Sequence, residues 1–373
     1  MNTFGMKVKA RCFIEYDSVA DLVDIEFEEL ARPMLHIGGG SNLLFTDDFK
    51  GTVLHSKIDF IEILDECQCV PVSSYHCEDP LPCHCEELAS CHCEERSDVT
   101  ISSPVLVSVG AGVVFDDFCA WAAKEGLWGV ENLSYIPGEV GASAVQNIGA
   151  YGVEVKDVIR KVYCYDTVEE EFVNFSVEEC EYGYRDSIFK DPEVKGRYIV
   201  THVVFALSRE PKPVLDYGHL KDALSSHCQF DCNEKSLTPS LIRKAIIKIR
   251  KEKLPEPSVK GSAGSFFKNP VISISDFQRI EASAKTELGA DYKVPHYDLP
   301  DGTVKVPAAW MIEQCGWKGK RSGGAAVWDK QPLVIVNYTG DAYPEEIIGL
   351  EKRIVASVKA KFGVELHPEV EHI

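Results

Sequence analysis

The chain has 373 residues and a formal net charge of -20, a length that allows two or three domains with buried cores. The acidic balance argues against a nucleic-acid partner, because phosphate backbones select surfaces rich in lysine and arginine. The first ten residues hold no apolar segment of the kind that a signal peptide needs. No run of about 18 apolar residues occurs, so we expect a cytoplasmic protein without a membrane span.

Hydrophobic periodicity and capping residues predict both strands and helices along the chain. Thr238 is a plausible N-cap with Pro239 at the first helical position, and Gly126 and Gly363 are typical helix stops. The mixture lacks a regular βαβ alternation and indicates an α+β protein. The predicted strands cover residues 34–37, 52–64 (as a pair), 105–109, 198–205 and 333–336, and the predicted helices cover 116–125, 239–253 and 344–362.

A cysteine-rich segment interrupts this pattern at residues 66–101. The motif Cys-His-Cys-Glu-Glu occurs at Cys83 and again at Cys91, a period of eight residues. We interpret the segment as a low-complexity loop inserted in a hairpin connection, because it has little apolar content to bury. A metal or thiol site is the alternative, although the spacing fits a zinc knuckle poorly. We predict no metal site, and in a leaderless protein we expect the cysteines to be thiols.

Two glycine-rich stretches suggest a binding site for a phosphate and a flat ring. Gly38-Gly39-Gly40-Ser41-Asn42 follows a strand, where glycines let successive N–H groups form an anion-binding nest. The stretch from Ile136 to Gly152 is rich in small residues and nearly free of charge, so that a ring system or diphosphate can approach closely. A simple turn and a tightly packed loop are the respective alternatives.

Six motifs occur in the order found in the UDP-N-acetylenolpyruvoylglucosamine reductase family, which the chain resembles over nearly its whole length apart from residues 66–101. The position of Asp216-Tyr217-Gly218 is similar to the tyrosine loop of the longer subtype. The six motifs are Asn-Thr-Phe-Gly at 2–5, the glycine cluster at 38–42, the stretch 137–152, Tyr-Gly-Tyr-Arg-Asp-Ser at 182–187, Gly-Ser-Phe-Phe-Lys-Asn-Pro at 264–270 and Pro-Glu-Val at 368–370.

The resemblance implies a domain organisation. It implies a two-part FAD-binding region of the vanillyl-alcohol-oxidase or PCMH-like type and a separate α+β substrate-binding domain. We expect FAD-binding parts at 1–57 and 58–210, a substrate-binding domain at 211–360, and a tail at 361–373 that carries a catalytic residue. The implied flavin contacts are Gly38, Gly39, Gly40, Ser41, Asn42, Gly110, Gly112, Pro137, Gly138, Gly141, Ala142, Gln146, Asn147, Gly149, Ala150, Tyr151, Gly152 and Val155.

The resemblance also implies the chemistry. NADPH reduces FAD, and the flavin N5 then delivers hydride to an enolpyruvyl ether of UDP-N-acetylglucosamine, which yields UDP-N-acetylmuramate for peptidoglycan. By the family pattern, Ser265 is the proton donor, and Arg185 and Glu369 stabilise the enolate. The alternatives are a surface ion pair for Arg185, a turn residue for Ser265 and a disordered chain end for Glu369.

The substrate contacts come from the same resemblance. Lys253 and Asn269 match positions that hold the diphosphate, and Lys305 and Gln314 are weaker matches. Tyr184 and Tyr217 are expected to pack on the substrate, Tyr217 as a mobile cover. We expect a monomer with a UDP-sugar substrate, FAD and NADPH, and no nucleic acid or membrane partner. Two hypotheses stay open beside this one: another FAD-dependent oxidoreductase on a related scaffold, and a metal-binding or thiol-regulated binding protein.

Overall fold

A computed structural model describes residues 2–64, 103–217, 220–225 and 237–373. The predicted insertion at 66–101 lies outside the described residues, and so does Gly218 of the tyrosine loop. No helix of the described chain is both long and apolar enough to span a bilayer.

Strands and helices both contribute throughout the described chain. The helices are α1 (Val19–Val23), α2 (Phe115–Lys124), α3 (Val140–Gln146), α4 (Leu220–Ser225), α5 (Pro239–Lys253), α6 (Ile274–Leu288), α7 (Ala308–Gln314) and α8 (Pro344–Phe362). The strands are β1 (Ala10–Tyr16), β2 (Met34–Ile37), β3 (Leu43–Leu44), β4 (Phe49–Ser56), β5 (Ile61–Leu64), β6 (Val105–Gly110), β7 (Gly149–Ala150), β8 (Val153–Glu154), β9 (Ile159–Asp166), β10 (Glu171–Ser176), β11 (Tyr198–Leu207), β12 (Gly261–Ser265), β13 (Val271–Ile272), β14 (Tyr297–Asp298), β15 (Val304–Lys305), β16 (Arg321–Ser322), β17 (Ala325–Val327), β18 (Val334–Asn337) and β19 (Glu371–His372).

The backbone divides into two compact units. The larger unit comprises the described residues of Cys12–Gly38 and Gly51–Ile247. The smaller unit comprises the described residues of Met1–Arg11, Gly39–Lys50 and Lys248–Ile373. The predicted boundaries at residues 57, 210 and 360 stay predictions.

The larger unit contains two main sheets and the two-stranded sheet β7-β8. One is an antiparallel sheet with the strand order β10-β9-β11-β6-β5, and the other has the order β1-β4-β2, in which β2 and β4 are parallel. Val107 and Val109 of β6 and Val203 and Phe205 of β11 join one core, where Phe118 of α2 meets Phe205 with their ring centroids 4.7 Å apart. Helix α3 packs on the same core through Val140 and Ala144.

The smaller unit surrounds a second core. Its four-stranded sheet has the order β12-β18-β17-β16, and two short sheets, β13-β15-β14 and β19-β3, lie beside it in the same unit. Helix α8 buries Ile347, Leu350 and Ile354 at the helical spacing read from the sequence. These side chains join Phe4 and Phe266 in one hydrophobic cluster.

The structure confirms the predicted start of α5 and the predicted end of α8. Helix α5 begins at Pro239, and the Thr238 hydroxyl accepts a hydrogen bond from the Leu241 amide at 3.2 Å. Gly363 ends α8 with a φ of 72°, as a left-handed cap requires. The stretch 136–152 is not a loop throughout, because α3 forms within it. Gly141 and Ser143 are weak helix signals, although Ala142 and Ala144 favour a helix, and Gly141 packs closely against Ala111.

Candidate active site

The glycine cluster follows β2 directly. A Cβ atom on Gly38 would lie only 3.0 Å from the Cβ atom of Ala142, so this position has little room for a side chain. In the part of the chain that the structure describes, the amides of Gly39 and Gly40 have no protein acceptor. Amides in such a turn are well suited to an anion. The pair therefore fits the predicted diphosphate contact.

At three other predicted flavin contacts, neighbouring atoms leave no room for a side chain larger than that of glycine. A Cβ atom on Gly110 would lie 2.4 Å from the Ile58 carbonyl oxygen, and one on Gly112 would lie 2.7 Å from that of Ser56. On Gly141 it would lie 2.9 Å from the Cβ atom of Ala111. Close packing therefore excludes a side chain at each of these three positions, whatever ligand they also contact.

The remaining predicted contacts between 137 and 155 lie around α3 and a small hairpin. The Gly138 carbonyl accepts a hydrogen bond from the Phe115 amide at 3.0 Å. Gly149 and Ala150 form β7, and the Val155 side chain is fully buried in the core. The chain reverses between β7 and β8 at Tyr151 and Gly152.

Asn132 is a buried polar residue that the sequence analysis missed. Its amide nitrogen donates to the carbonyl oxygens of Tyr151, at 2.9 Å, and Val214, at 2.8 Å. Its own side-chain oxygen is buried and has no partner within the described chain. Because an unpaired buried acceptor is costly, a bound donor at this point is favoured. This atom is a second feature that fits a flavin or another heterocycle.

Strained backbone concentrates in the same region. Six described residues other than glycine have a positive φ, and four of them are Tyr135, Asn147, Tyr151 and Arg185. Such conformations persist where the surroundings fix them, often at functional sites. The Tyr135 amide donates to Asp116, which is itself ion-paired with Arg243. These contacts fix the backbone directly before the glycine-rich stretch.

Arg185 lies against the glycine-rich stretch. Its Nη1 donates to the Asn147 carbonyl oxygen at 3.0 Å, and its Nη2 donates to that of Gly149 at 2.5 Å. The Asn147 side chain donates to the Gly183 carbonyl oxygen at 2.7 Å. The structure thus brings the predicted catalytic arginine together with predicted flavin contacts, and two main-chain carbonyls orient its guanidinium.

Lys190 supports this arrangement and was not singled out in the sequence. Its Nζ donates to the Arg185 carbonyl oxygen at 3.0 Å and to Gln146 Oε1 at 3.1 Å. The Tyr184 ring lies beside the guanidinium, with 5.4 Å from the Arg185 Cζ atom to the ring centroid. Arg185 is half-buried and not fully exposed.

Tyr217 lies near the β7–β8 turn. A Cβ atom on Gly152 would lie 3.2 Å from Val214 and 3.5 Å from the Cβ atom of Tyr217, so the segment before the tyrosine loop packs over Gly152. The Tyr217 side chain is 38% exposed, which is compatible with the predicted cover.

A buried ionic network under α3 was also missed. His55 is 1% exposed, and its Nδ1 and Nε2 atoms lie 2.9 Å from Glu15 and 3.0 Å from Glu139. The hydrogen bond with Glu139 is the main reason why the pKa of His55 is raised. Burial and the nearby His55 lower the pKa of His36 to about 4. The His55 side chain therefore links Glu15 to Glu139 at the start of α3.

Glu139→Gln should remove the charge from this pair while keeping a hydrogen-bond acceptor. Because the folded-state pKa of His55 is raised above its usual value, the pair stabilises the fold fully below about pH 6.5. That stabilisation is lost as the pH rises through the folded-state pKa. We expect the variant to lower the free energy of unfolding by about 1–2 kcal/mol at pH 5 and by much less at pH 9.

Urea unfolding at the two pH values measures the effect. Glu125→Gln, an exposed glutamate of the same unit, is the matched control and should change neither value. Equal destabilisation by Glu139→Gln at pH 5 and pH 9 would contradict a role for the charged pair.

Ser265 and Glu369 lie on adjoining segments of the smaller unit. Ser265 ends β12, and the next residue, Phe266, accepts a hydrogen bond from the Glu369 amide at 2.8 Å. Both side chains are half-buried. The tail is ordered by its pairing with β3, in which the Glu371 amide donates to the Asn42 carbonyl oxygen at 2.9 Å. A disordered chain end for Glu369 is therefore not what the structure shows.

The four other predicted substrate residues also lie in the smaller unit. Lys253 is the last residue of α5, and its carbonyl oxygen accepts from Trp328 Nε1 at 3.1 Å. The Asn269 side-chain oxygen accepts from the Ala308 amide at 2.9 Å, at the start of α7. Lys305 lies in β15 and Gln314 ends α7. The Asn269 side chain therefore holds the start of α7, in addition to its predicted contact with the diphosphate.

Comparison with known proteins agrees with these features. Residues 256–373 match the model of the UDP-N-acetylenolpyruvoylglucosamine reductase C-terminal domain, and residues 99–173 match that of an FAD binding domain. Relatives named UDP-N-acetylenolpyruvoylglucosamine reductase are 45% identical in Bacteroides fragilis strain YCH46, covering 100% of this chain and 97% of the relative, and 40% identical in Porphyromonas gingivalis strain ATCC 33277, covering 100% and 96%.

A solved structure shows the same fold. The reductase of that name from Thermus caldophilus superposes with a TM-score of 0.59 at 21% identity, and the match covers 100% of this chain and 95% of that one. The predicted α+β class, with an FAD-binding region and a separate substrate-binding domain, is confirmed. The identity of 45% over the whole chain also confirms the resemblance drawn from the six motifs: the chain belongs to the UDP-N-acetylenolpyruvoylglucosamine reductase family.

Proposed function

We propose that this protein reduces the enolpyruvyl ether of UDP-N-acetylglucosamine to UDP-N-acetylmuramate, with FAD as cofactor and NADPH as reductant, in peptidoglycan precursor synthesis. The observation that carries the proposal is the similarity over the whole chain to reductases of this name. The match to an FAD binding domain supports the cofactor.

Several residues fit FAD. The amides of Gly39 and Gly40 suit its diphosphate, and the unpaired buried oxygen of Asn132 suits a donor on a heterocycle. When bound, FAD supplies hydride transfer from the nicotinamide to the substrate carbon. The protein contributes a close-packed backbone that excludes side chains at Gly110 and Gly141.

Addition of hydride to the terminal carbon leaves negative charge on the neighbouring carbon and its carboxylate. We assign Arg185 to that charge, because its planar guanidinium matches a carboxylate and is already oriented by two carbonyls. Ser265 supplies the proton to the carbon, and Glu369, on the adjoining segment, assists the enolate.

The substrate nucleotide needs cations and amides for its diphosphate. We assign Lys253 and Asn269 to this contact, with Lys305 and Gln314 as further candidates in the same unit. Tyr184 and Tyr217 pack on the substrate, and Tyr217 excludes water as a cover. We further propose a cytoplasmic monomer that binds neither nucleic acid nor membrane, in keeping with the net charge of -20.

The half-reactions test the proposal. Purified protein should be yellow, its flavin spectrum should bleach with NADPH, and the colour should return on adding the enolpyruvyl sugar nucleotide. Bleaching without substrate-dependent recovery would favour another FAD-dependent oxidoreductase. A colourless protein that contains zinc would favour the metal-binding hypothesis, which rests on residues 66–101, outside the described chain.

A further inference from the structure

The segment after the glycine cluster carries the tail of the smaller unit. Strand β3 pairs in parallel with β19, so that the Ile373 amide donates to the Leu44 carbonyl oxygen at 2.9 Å. The Thr46 amide and hydroxyl both donate to the Ile373 carbonyl oxygen at 2.8 Å. Val370 is buried in the same cluster as Leu44. Residues 42–46 thus hold the last residues of the tail.

Glu369 is fixed at both of its main-chain polar groups. Its amide donates to the Phe266 carbonyl oxygen at 2.8 Å, directly after Ser265. Its carbonyl oxygen accepts from Asn42 Nδ2 at 3.1 Å. The first bond sets Glu369 against the segment of Ser265, and the second holds the peptide group on the other side of the Glu369 Cα atom. The Asn42 carbonyl adds a third contact through the Glu371 amide.

These contacts give Asn42 a different task from the flavin contact expected of the glycine cluster. An amide nitrogen that donates to the Glu369 carbonyl oxygen cannot direct that same N–H at a phosphate. Small shifts of a reacting group cost large factors in rate, so a side chain that holds the Glu369 main chain affects turnover without touching substrate.

We propose that Asn42 is a positioning residue for Glu369, which couples the strand after the glycine cluster to the site of protonation. The proposal rests on the proposed function, because it takes Glu369 to be catalytic. It adds that the side-chain amide of Asn42 acts through the Glu369 main chain.

The test compares Asn42→Ala with wild type in the flavin-loaded enzyme. We expect recovery of flavin colour by the enolpyruvyl sugar nucleotide to slow about tenfold, the effect of losing one hydrogen bond at a fixed group. Bleaching by NADPH should change less than about twofold. Hydrogen exchange of the peptide covering residues 364–373, followed by mass spectrometry, should be about tenfold faster.

A double-mutant cycle separates positioning from an independent effect. In a Glu369→Gln background, Asn42→Ala should slow colour recovery less than about twofold further, because the group that it positions is already disabled. Fully additive slowing would overturn the proposal. So would lost flavin and slower bleaching together with unchanged tail exchange, since Asn42 would then serve the flavin alone.

The following outcomes separate a failure of the proposal for Asn42 from a failure of the proposed function. If Glu369→Gln itself recovers colour at the wild-type rate, the assigned role of Glu369 fails, and the proposal for Asn42 fails with it. If Asn42→Ala binds too little flavin to assay, tail exchange is compared in wild-type and variant protein stripped of flavin. Thr46→Val, which removes one tail contact and leaves Asn42 intact, should also speed that exchange. Equal exchange in wild type and in Asn42→Ala overturns the proposal.

Discussion

Ser265→Ala should bind flavin and be reduced by NADPH at the wild-type rate, yet turn over about 10²- to 10⁴-fold more slowly, the range expected when a positioned proton donor is removed. The reason is that hydride transfer to the terminal carbon leaves a neighbouring carbanion without its acid. Single-turnover bleaching and colour recovery measure the two halves separately. Only the rate of colour recovery should fall.

Two variants sharpen this result. Ser265→Cys keeps a protonatable group and should recover part of the activity lost in the alanine variant. Ser357→Ala removes the hydroxyl of a half-buried serine on α8, which within the described chain bonds only to its own helix, and should behave as wild type. Unchanged turnover of Ser265→Ala would reject serine as the proton donor.

Arg185→Lys should slow colour recovery about 10²- to 10³-fold, because a lysine ammonium is a point charge that cannot reproduce the planar fork. The guanidinium donates to the carbonyl oxygens of both Asn147 and Gly149. A single ammonium would keep at most part of this anchorage and part of the charge stabilisation. NADPH bleaching should be affected far less, and stopped-flow spectroscopy measures both rates.

Arg160→Lys is the matched control, since Arg160 is an exposed arginine of β9 in the same unit. It should leave both half-reactions unchanged. A wild-type rate of colour recovery in Arg185→Lys would show that Arg185 has a structural task only.

Much of the secondary structure was predictable because its signals are local. The N-cap at Thr238, the proline at 239 and the stop at Gly363 are each read from a few residues. Helix α3 was not predictable in this way. It is short, glycine, serine and β-branched valine weaken the helix signal of its alanines, and Gly141 packs against Ala111, about thirty positions away.

The sequence indicated which residue types form the site, but not which residues hold them in place. Family motifs indicated Arg185, Ser265 and Glu369, and their roles stay predictions. The supports come from residues far apart in the chain: His55 contacts Glu139 84 positions away, and Asn42 contacts Glu369 327 positions away. No local pattern encodes such pairs. The left-handed backbone of Arg185, with a φ of 56°, has no sequence signal either, because arginine does not favour it.

The glycines at 110, 112 and 141 have a consequence for how this fold changes over time. Their missing side chains are required by neighbouring main chain and by Ala111, at 2.4 to 2.9 Å from where a Cβ atom would lie. Selection for folding alone is therefore enough to retain them. A descendant that had lost its cofactor would still need these three glycines.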